Sequence, residues 1–248
     1  MSKADKLQAL AAYAYAHRGL HDAEVPENSV AAFRAAMARG LGIECDVRKS
    51  SDGRAIVFHD KDLERLTGRS GALGQRSVGD LTSITLTGSE ETIPTLRDVL
   101  DTVAGQVPLL LEIKIDGVRP VEALCRAVRR DLEGYDGPVG VMSFDLRVPQ
   151  WFAAREADLP CGLVVTEQNA RTFLSSMALR RAVSKTAADF LALDIRDLPS
   201  KISAKALAQG KPLFTWTVRN AEQAKTAQEA GAVPILEAAG VAAWEAVS

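Results

Sequence analysis

Apolar residues fall into two alternating patterns along the chain. Short runs at 13–16, 42–47, 55–58, 109–115, 139–144, 162–165, 190–193, 213–218 and 234–236 read as strands. Between them apolar positions recur every three or four residues, as helices require. "NSVAAFRAAMARG" (28–40) lines up Val30, Phe33 and Met37, with Asn28 or Ser29 as N-cap and Gly40 as terminator. "TLRDVLDTVAG" (95–105) sets Thr95 and Asp98 at capping-box spacing ahead of an apolar stripe and ends on Gly105. "RPVEALCRAVRRDLEG" turns Val121, Leu124, Val128 and Leu132 to one side, and "NAEQAKTAQEAG" opens on Asn220 as its cap.

Repeated strand-then-helix units predict a parallel sheet with helices outside it, doubly wound or closed into a barrel. Nine strand candidates meet the eight positions of a barrel. The excess falls in "ECDVRKSSDGRAIVFHD", where a Ser-Asp-Gly turn leaves no room for a crossover helix, so a hairpin-like, irregular segment is expected around 42–60. Residues 61–93 have weak periodicity and many Gly, Ser and Thr residues, and read as an active-site loop or small insertion. The expectation is an α/β fold in one domain over residues 1–248.

Composition narrows the class. Thirty basic against 32 acidic residues give a net charge of −2, which speaks against nucleic-acid or anionic-membrane binding through basic excess. Cys45, Cys125 and Cys161 are widely spaced and form neither a disulfide framework nor a zinc motif. No apolar stretch approaches a membrane span and the N-terminus has no signal-like core, so a reducing cytoplasm is the expected compartment.

The chemistry lies where polar residues interrupt apolar strands. In "IECDV", Glu44 and Asp46 share one face while Cys45 takes the other. Two carboxylates side by side in an apolar strand repel unless a cation lies between them; a solvated edge strand is the alternative. "LLLEIKID" repeats the device with Glu112 and Lys114, as a buried ion pair or as a third oxygen ligand beside an anion donor. His17 and His59 end strands, and His21 sits in a polar loop where it is expected to be solvated. In a barrel such strand-end residues converge on one site. Three carboxylates, two histidines, an arginine and a lysine suit metal-assisted cleavage of a phosphate ester.

In order, "HRG" (17–19), "PENS" (26–29), "ECD" (44–46), "HD" (59–60), "LEIK" (111–114) and "WTV" (216–218) resemble the motifs of the glycerophosphodiester phosphodiesterase family, as do "IPTLRDVLD" (93–101) and "SFD" (143–145). The resemblance implies a single (β/α)8 TIM-type barrel that hydrolyses glycerophosphodiesters, small molecules, to an alcohol and glycerol 3-phosphate with one divalent cation, magnesium or calcium. It implies His17 and His59 as the acid/base pair and Glu44, Asp46 and Glu112 as metal ligands. Arg18 and Lys114 would bind phosphate, Glu27 would support the site, Asn28 would join it or cap the helix, and Trp216 would wall the glycerol pocket. Near the last strand Glu237 and Ala238 stand where the family usually has Thr and Asp. Two other readings stay open, a related phospholipase D-like phosphodiesterase and a non-catalytic barrel that binds a phosphate ligand.

Overall fold

Apolar runs fold as strands and periodic stretches as helices in a computed structural model that describes residues 1–117, 120–168 and 173–247. The strands are β1 (Tyr15–His17), β2 (Gly42–Lys49), β3 (Ala55–Val57), β4 (Leu109–Ile113), β5 (Val139–Ser143), β6 (Cys161–Val165), β7 (Phe190–Asp194), β8 (Leu213–Val218) and β9 (Val233–Leu236). The helices are α1 (Lys3–Ala11), α2 (Val30–Ala38), α3 (Glu64–Thr67), α4 (Val78–Thr82), α5 (Leu96–Val103), α6 (Glu122–Leu132), α7 (Arg147–Ala153), α8 (Phe173–Lys185), α9 (Lys201–Ala208), α10 (Ala221–Glu229) and α11 (Ala239–Glu245). The fold class is the (β/α)8, TIM-type barrel that the sequence predicts, with β3 as the excess strand. The chain divides into two compact units, residues 16–138, and residues 1–15 with 139–248.

In the first unit, β2 pairs in parallel with β4, Asp46 opposite Glu112 and Val47 opposite Ile113. That last pair explains why β4 stops short of the 109–115 run. Strand β2 outlasts its apolar stretch because its end pairs antiparallel with β3, Val47 opposite Val57 through Lys49 opposite Ala55. Ser50, Asp52 and Arg54 close the turn, with the Ser50 hydroxyl donating to Asp52 and accepting from the Arg54 amide. This is the hairpin expected around 42–60. Caps follow the expected chemistry: Ser29, rather than Asn28, accepts from the Ala32 amide, and Thr95 and Asp98 form a reciprocal capping box.

Residues 61–93 carry structure of their own. α3 has four residues and α4 five, too few for periodicity to register. Leu63, Leu73, Leu81, Ile84, Leu86 and Ile93 nonetheless bury themselves against Ile56 and Phe58 as a separate apolar cluster. Glu91 then accepts from the Ala31 amide in the first turn of α2.

In the second unit, β5 to β9 pair in parallel, each with the next. β1 starts at Tyr15, later than its apolar run, because α1 reaches Ala11 and the chain must turn before extending. The Tyr15 hydroxyl donates to the Leu10 carbonyl and its ring meets Phe214 edge-on. Gly162 leaves room for the Phe190 ring, which a Cβ at 162 would strike.

The separate cluster under residues 61–93 makes Leu81→Ala costly, at about 2–5 kcal/mol for a fully buried leucine. Urea denaturation would measure it. A loss below about 0.5 kcal/mol would mean that the segment is an unpacked loop.

Candidate active site

Glu44, Asp46 and Glu112 sit in mid-sheet, 1%, 1% and 8% exposed. β-strand alternation turns Glu44 and Asp46 to one face, and the parallel register sets Glu112 beside Asp46. One carboxylate oxygen from each lies within 4.8 Å of the others. The solvated-edge alternative fails, since both acids of β2 are buried. Cys45 faces the other way and is buried, with its thiol raised by that burial.

Three acids at this spacing are only partly compensated. Lys114 Nζ lies 2.7 Å from Glu112 Oε1 and 3.0 Å from Asp46 Oδ1. Burial would raise the Asp46 carboxyl, but Lys114 and then Arg18 hold it well below the carboxylate range. Glu44 goes the other way: burial, then Asp46 and Glu112, push it well above its ordinary value. Burial raises Glu112 as well, against the pull of Lys114. For two of the three acids, burial and the neighbouring carboxylates thus outweigh the positive charge beside them. A divalent cation among hard oxygen donors would redress that balance, so the cluster suits such an ion.

The loop after β1 closes over these acids by adopting strained backbone. Arg18 and Asn28 both have positive φ, 55° and 56°, and the Asn28 amide donates to the Arg18 carbonyl at 2.8 Å. Non-glycine residues seldom hold this conformation unless their surroundings fix it. Gly19 follows at φ 79°, where a Cβ would lie 2.8 Å from the Ala32 Cβ, so "HRG" needs its glycine sterically. The strain aims two groups at the acids. The Arg18 amide donates to Glu44 Oε2 at 3.0 Å. Asn28 donates to Asp46 Oδ2 at 2.9 Å and accepts from the Asp46 amide. Asn28 therefore joins the site, and Ser29 does the capping. The Arg18 guanidinium donates to Glu27 at 2.9 Å, while its Nε stands 3.2 Å from Asp46 Oδ2 without hydrogen-bond geometry.

His17 ends β1 half-buried, and His59 follows β3. His59 Nδ1 lies 2.6 Å from Asp60 Oδ1, and Asp60 Oδ2 accepts from Arg65 Nε at 2.6 Å. Arg65 also donates twice to Glu27, at 2.8 and 2.9 Å. The path His59–Asp60–Arg65–Glu27–Arg18 thus runs through one guanidinium supplied by α3. Arg48 donates to the His59 carbonyl and to Asp116, fixing the backbone beside the ring. Burial lowers His59 below its usual value, with Asp46 opposing. His21, expected to be solvated, is half-buried, and its Nε2 has no hydrogen-bond partner among the described residues.

The second unit holds Trp216, whose indole N–H donates to the Ala192 carbonyl at 3.0 Å. Phe144, 47% exposed, meets it edge-on at 5.4 Å. Glu237 pairs with Arg219 at 3.0 Å. Sequence reasoning missed Arg65, Arg48 and Phe144. Arg65 carried no signal, because only the turn of α3 brings it back five residues to Asp60; Asp60 itself was visible in "HD".

A model of the glycerophosphoryl diester phosphodiesterase family matches residues 17–237. A glycerophosphodiester phosphodiesterase of Caldanaerobacter subterraneus subsp. tengcongensis is 35% identical over 107 residues, 40% of this chain and 43% of that protein. The chain thus spans under half the length of that relative. A Bacillus subtilis (strain 168) protein, YhdW, is 27% identical over 229 residues, 88% of this chain and 91% of its own. Among solved structures, a phosphodiesterase of Oleispira antarctica in complex with the product sn-glycerol-3-phosphate superposes with a TM-score of 0.81 at 22% identity. It covers 96% of this chain and 98% of that one, and the likeness is one of fold.

Asn28 offers a direct test of the strained loop. Asn28→Ala leaves the Asp46 amide and one buried oxygen unpaired and forces alanine into positive φ, for a loss of about 2–4 kcal/mol in metal-free urea denaturation. Asn28→Gly relieves the backbone but not the lost bonds, and should recover only part of that. Full recovery by glycine would mean that the side chain contributes nothing to the acid cluster.

Proposed function

This chain belongs to the glycerophosphoryl diester phosphodiesterase family, and on that basis we propose that it hydrolyses glycerophosphodiesters to an alcohol and glycerol 3-phosphate. The observation that carries the reading is the group of three buried carboxylates within 4.8 Å, flanked by Lys114 and Arg18 and served by a histidine held on its own carboxylate. In the reaction, water is consumed, the bond from phosphorus to the alcohol oxygen breaks, and the alcohol leaves with a proton.

Glu44, Asp46 and Glu112 hold the divalent cation, magnesium or calcium; carboxylate oxygens without thiolate favour such hard ions. Once bound, the ion offsets charge on the phosphate oxygens. Arg18 and Lys114 donate to the same oxygens, and Glu27, itself held by Arg65, keeps Arg18 aimed by accepting from its guanidinium. His17 and His59 are the acid/base pair. One takes the proton of the nucleophile and the other gives a proton to the departing alkoxide. The His59 Nδ1 contact with Asp60 orients the ring and leaves Nε2 for that transfer. Trp216, steadied by Ala192 and Phe144, packs on the carbons of the glycerol moiety.

Chelation should abolish hydrolysis of a panel of glycerophosphodiesters, while added magnesium or calcium restores it and raises the thermal midpoint. Glu44→Gln and Glu112→Gln should lose both effects. Full turnover by thoroughly chelated protein would rule out the metal.

The proton-transfer set is tested separately. His17→Ala and His59→Ala should each lower kcat by at least about 100-fold, and the double variant should be little worse than the poorer single one. Arg65→Ala, which frees both Asp60 and Glu27, should cost about 10–100-fold. Arg65→Lys should not rescue it, since an ammonium lacks the planar fork by which one guanidinium donates twice to Glu27 and once to Asp60. Near-normal turnover in folded Arg65→Ala would remove that residue from the scheme.

A further inference from the structure

Between α8 and α9, outside strand β7, lies a crevice of about 230 Å³. Arg180, Lys201, Lys205 and Lys211 line it, and no carboxylate does. That is a concentrated positive charge in a chain whose net charge is −2. Arg180 Nε is buried there with no hydrogen-bond partner among the described residues, a costly condition for a guanidinium unless an acceptor arrives. The floor is apolar: Val183, Ile202 and Leu191 belong to or pack on the core cluster of this unit.

A second feature lies on the same helix. Leu174 and Met177, 77% and 51% exposed, precede Arg180 at three-residue intervals on α8, so all three share one stripe of the helix. Large apolar side chains left in water beside a cation-lined crevice suit a ligand with a charged end and an apolar body.

We propose that this crevice binds a single-chain anionic amphiphile, a fatty carboxylate or a phosphate-headed chain. The anionic head meets Arg180 with Lys205 and Lys201, and the chain lies on Val183 and Ile202 and out along Met177 and Leu174. The proposed function gives such a ligand a source. A glycerophosphodiester is formed from a diacyl phospholipid by hydrolysis of two acyl esters, which releases fatty carboxylates alongside the substrate. The crevice itself stands on its own residues, and its test does not depend on that reading.

Calorimetry on the full chain with submicellar decanoate should give saturable one-to-one binding. Affinity should rise about tenfold or more from hexanoate to decanoate, since added methylenes are buried. Arg180→Gln and Lys205→Gln should each weaken decanoate about tenfold or more, with thermal midpoints confirming that the variants fold. Neither residue belongs to the proposed catalytic set, so basal diesterase activity should be unchanged; an inactive wild type would sink the proposed function and leave the binding result intact. Equal binding of decyltrimethylammonium would overturn the proposal, because the cations would then be irrelevant. So would inorganic phosphate binding as tightly as decanoate, which would mark an anion site without a chain. Co-sedimentation with phosphatidylglycerol vesicles, lost in Arg180→Gln and without binding of free decanoate, would assign the face to a bilayer surface instead.

Discussion

Three carboxylates share one small, buried volume on β2 and β4, and much of the surrounding unit exists to tolerate them. Parallel pairing brings Glu112 beside Asp46, and strand alternation adds Glu44. Buried charges of one sign repel strongly at this distance, and removing them from water costs more still. The local sequence answers with Lys114 two residues past Glu112, and with a loop whose backbone bends through positive φ at Arg18 and Asn28 to bring an amide and a side-chain amide onto the acids. Asp46, with Lys114, Arg18 and Asn28 all beside it, is thereby held ionised, while burial and the neighbouring acids push Glu44 and Glu112 upward.

That asymmetry links structure to chemistry. A protein that neutralised its acids fully would have no use for a divalent ion; one that left all of them unsupported would not fold around them. Here the deficit is local and sits beside an ammonium, a guanidinium and an imidazole. The insertion contributes in the same way. Its own apolar cluster anchors α3, α3 presents Arg65, and Arg65 holds Asp60 and Glu27 at once. A packed satellite core therefore sets the orientation of His59 and Arg18 through Arg65.

Most of this was legible in the sequence wherever period and charge disagreed. "IECDV" and "LLLEIKID" announce buried acids because a two-residue period inside an apolar run leaves few other places for them. The hairpin after β2 was legible from a turn too short for a crossover, and the caps at Thr95 and Asn220 from side chains that can accept amide bonds. What escaped depended on contacts made by very short elements. α3 and α4 are too short for the helical period to repeat, and Arg65 becomes meaningful only when α3 folds back on Asp60. Asn28 looked like a cap because its neighbour is one, and only the closed loop reveals its two bonds to Asp46.

The departures near β9 fit the same logic. Glu237, where the family usually carries a threonine, forms an ion pair with Arg219 at the end of β8, and Ala238 takes positive φ, 51°, where a glycine or asparagine would be easier. Neither residue belongs to the acid cluster, whose members come from β2 and β4. Residues bound into the charge balance can change only together, since losing one leaves another buried and unpaired. Residues outside it can change singly at the cost of a local ion pair or a strained turn. Variation in a protein built this way should therefore gather at positions such as 237 and 238, outside the charge balance, while the acids, their lysine and their asparagine change as a set.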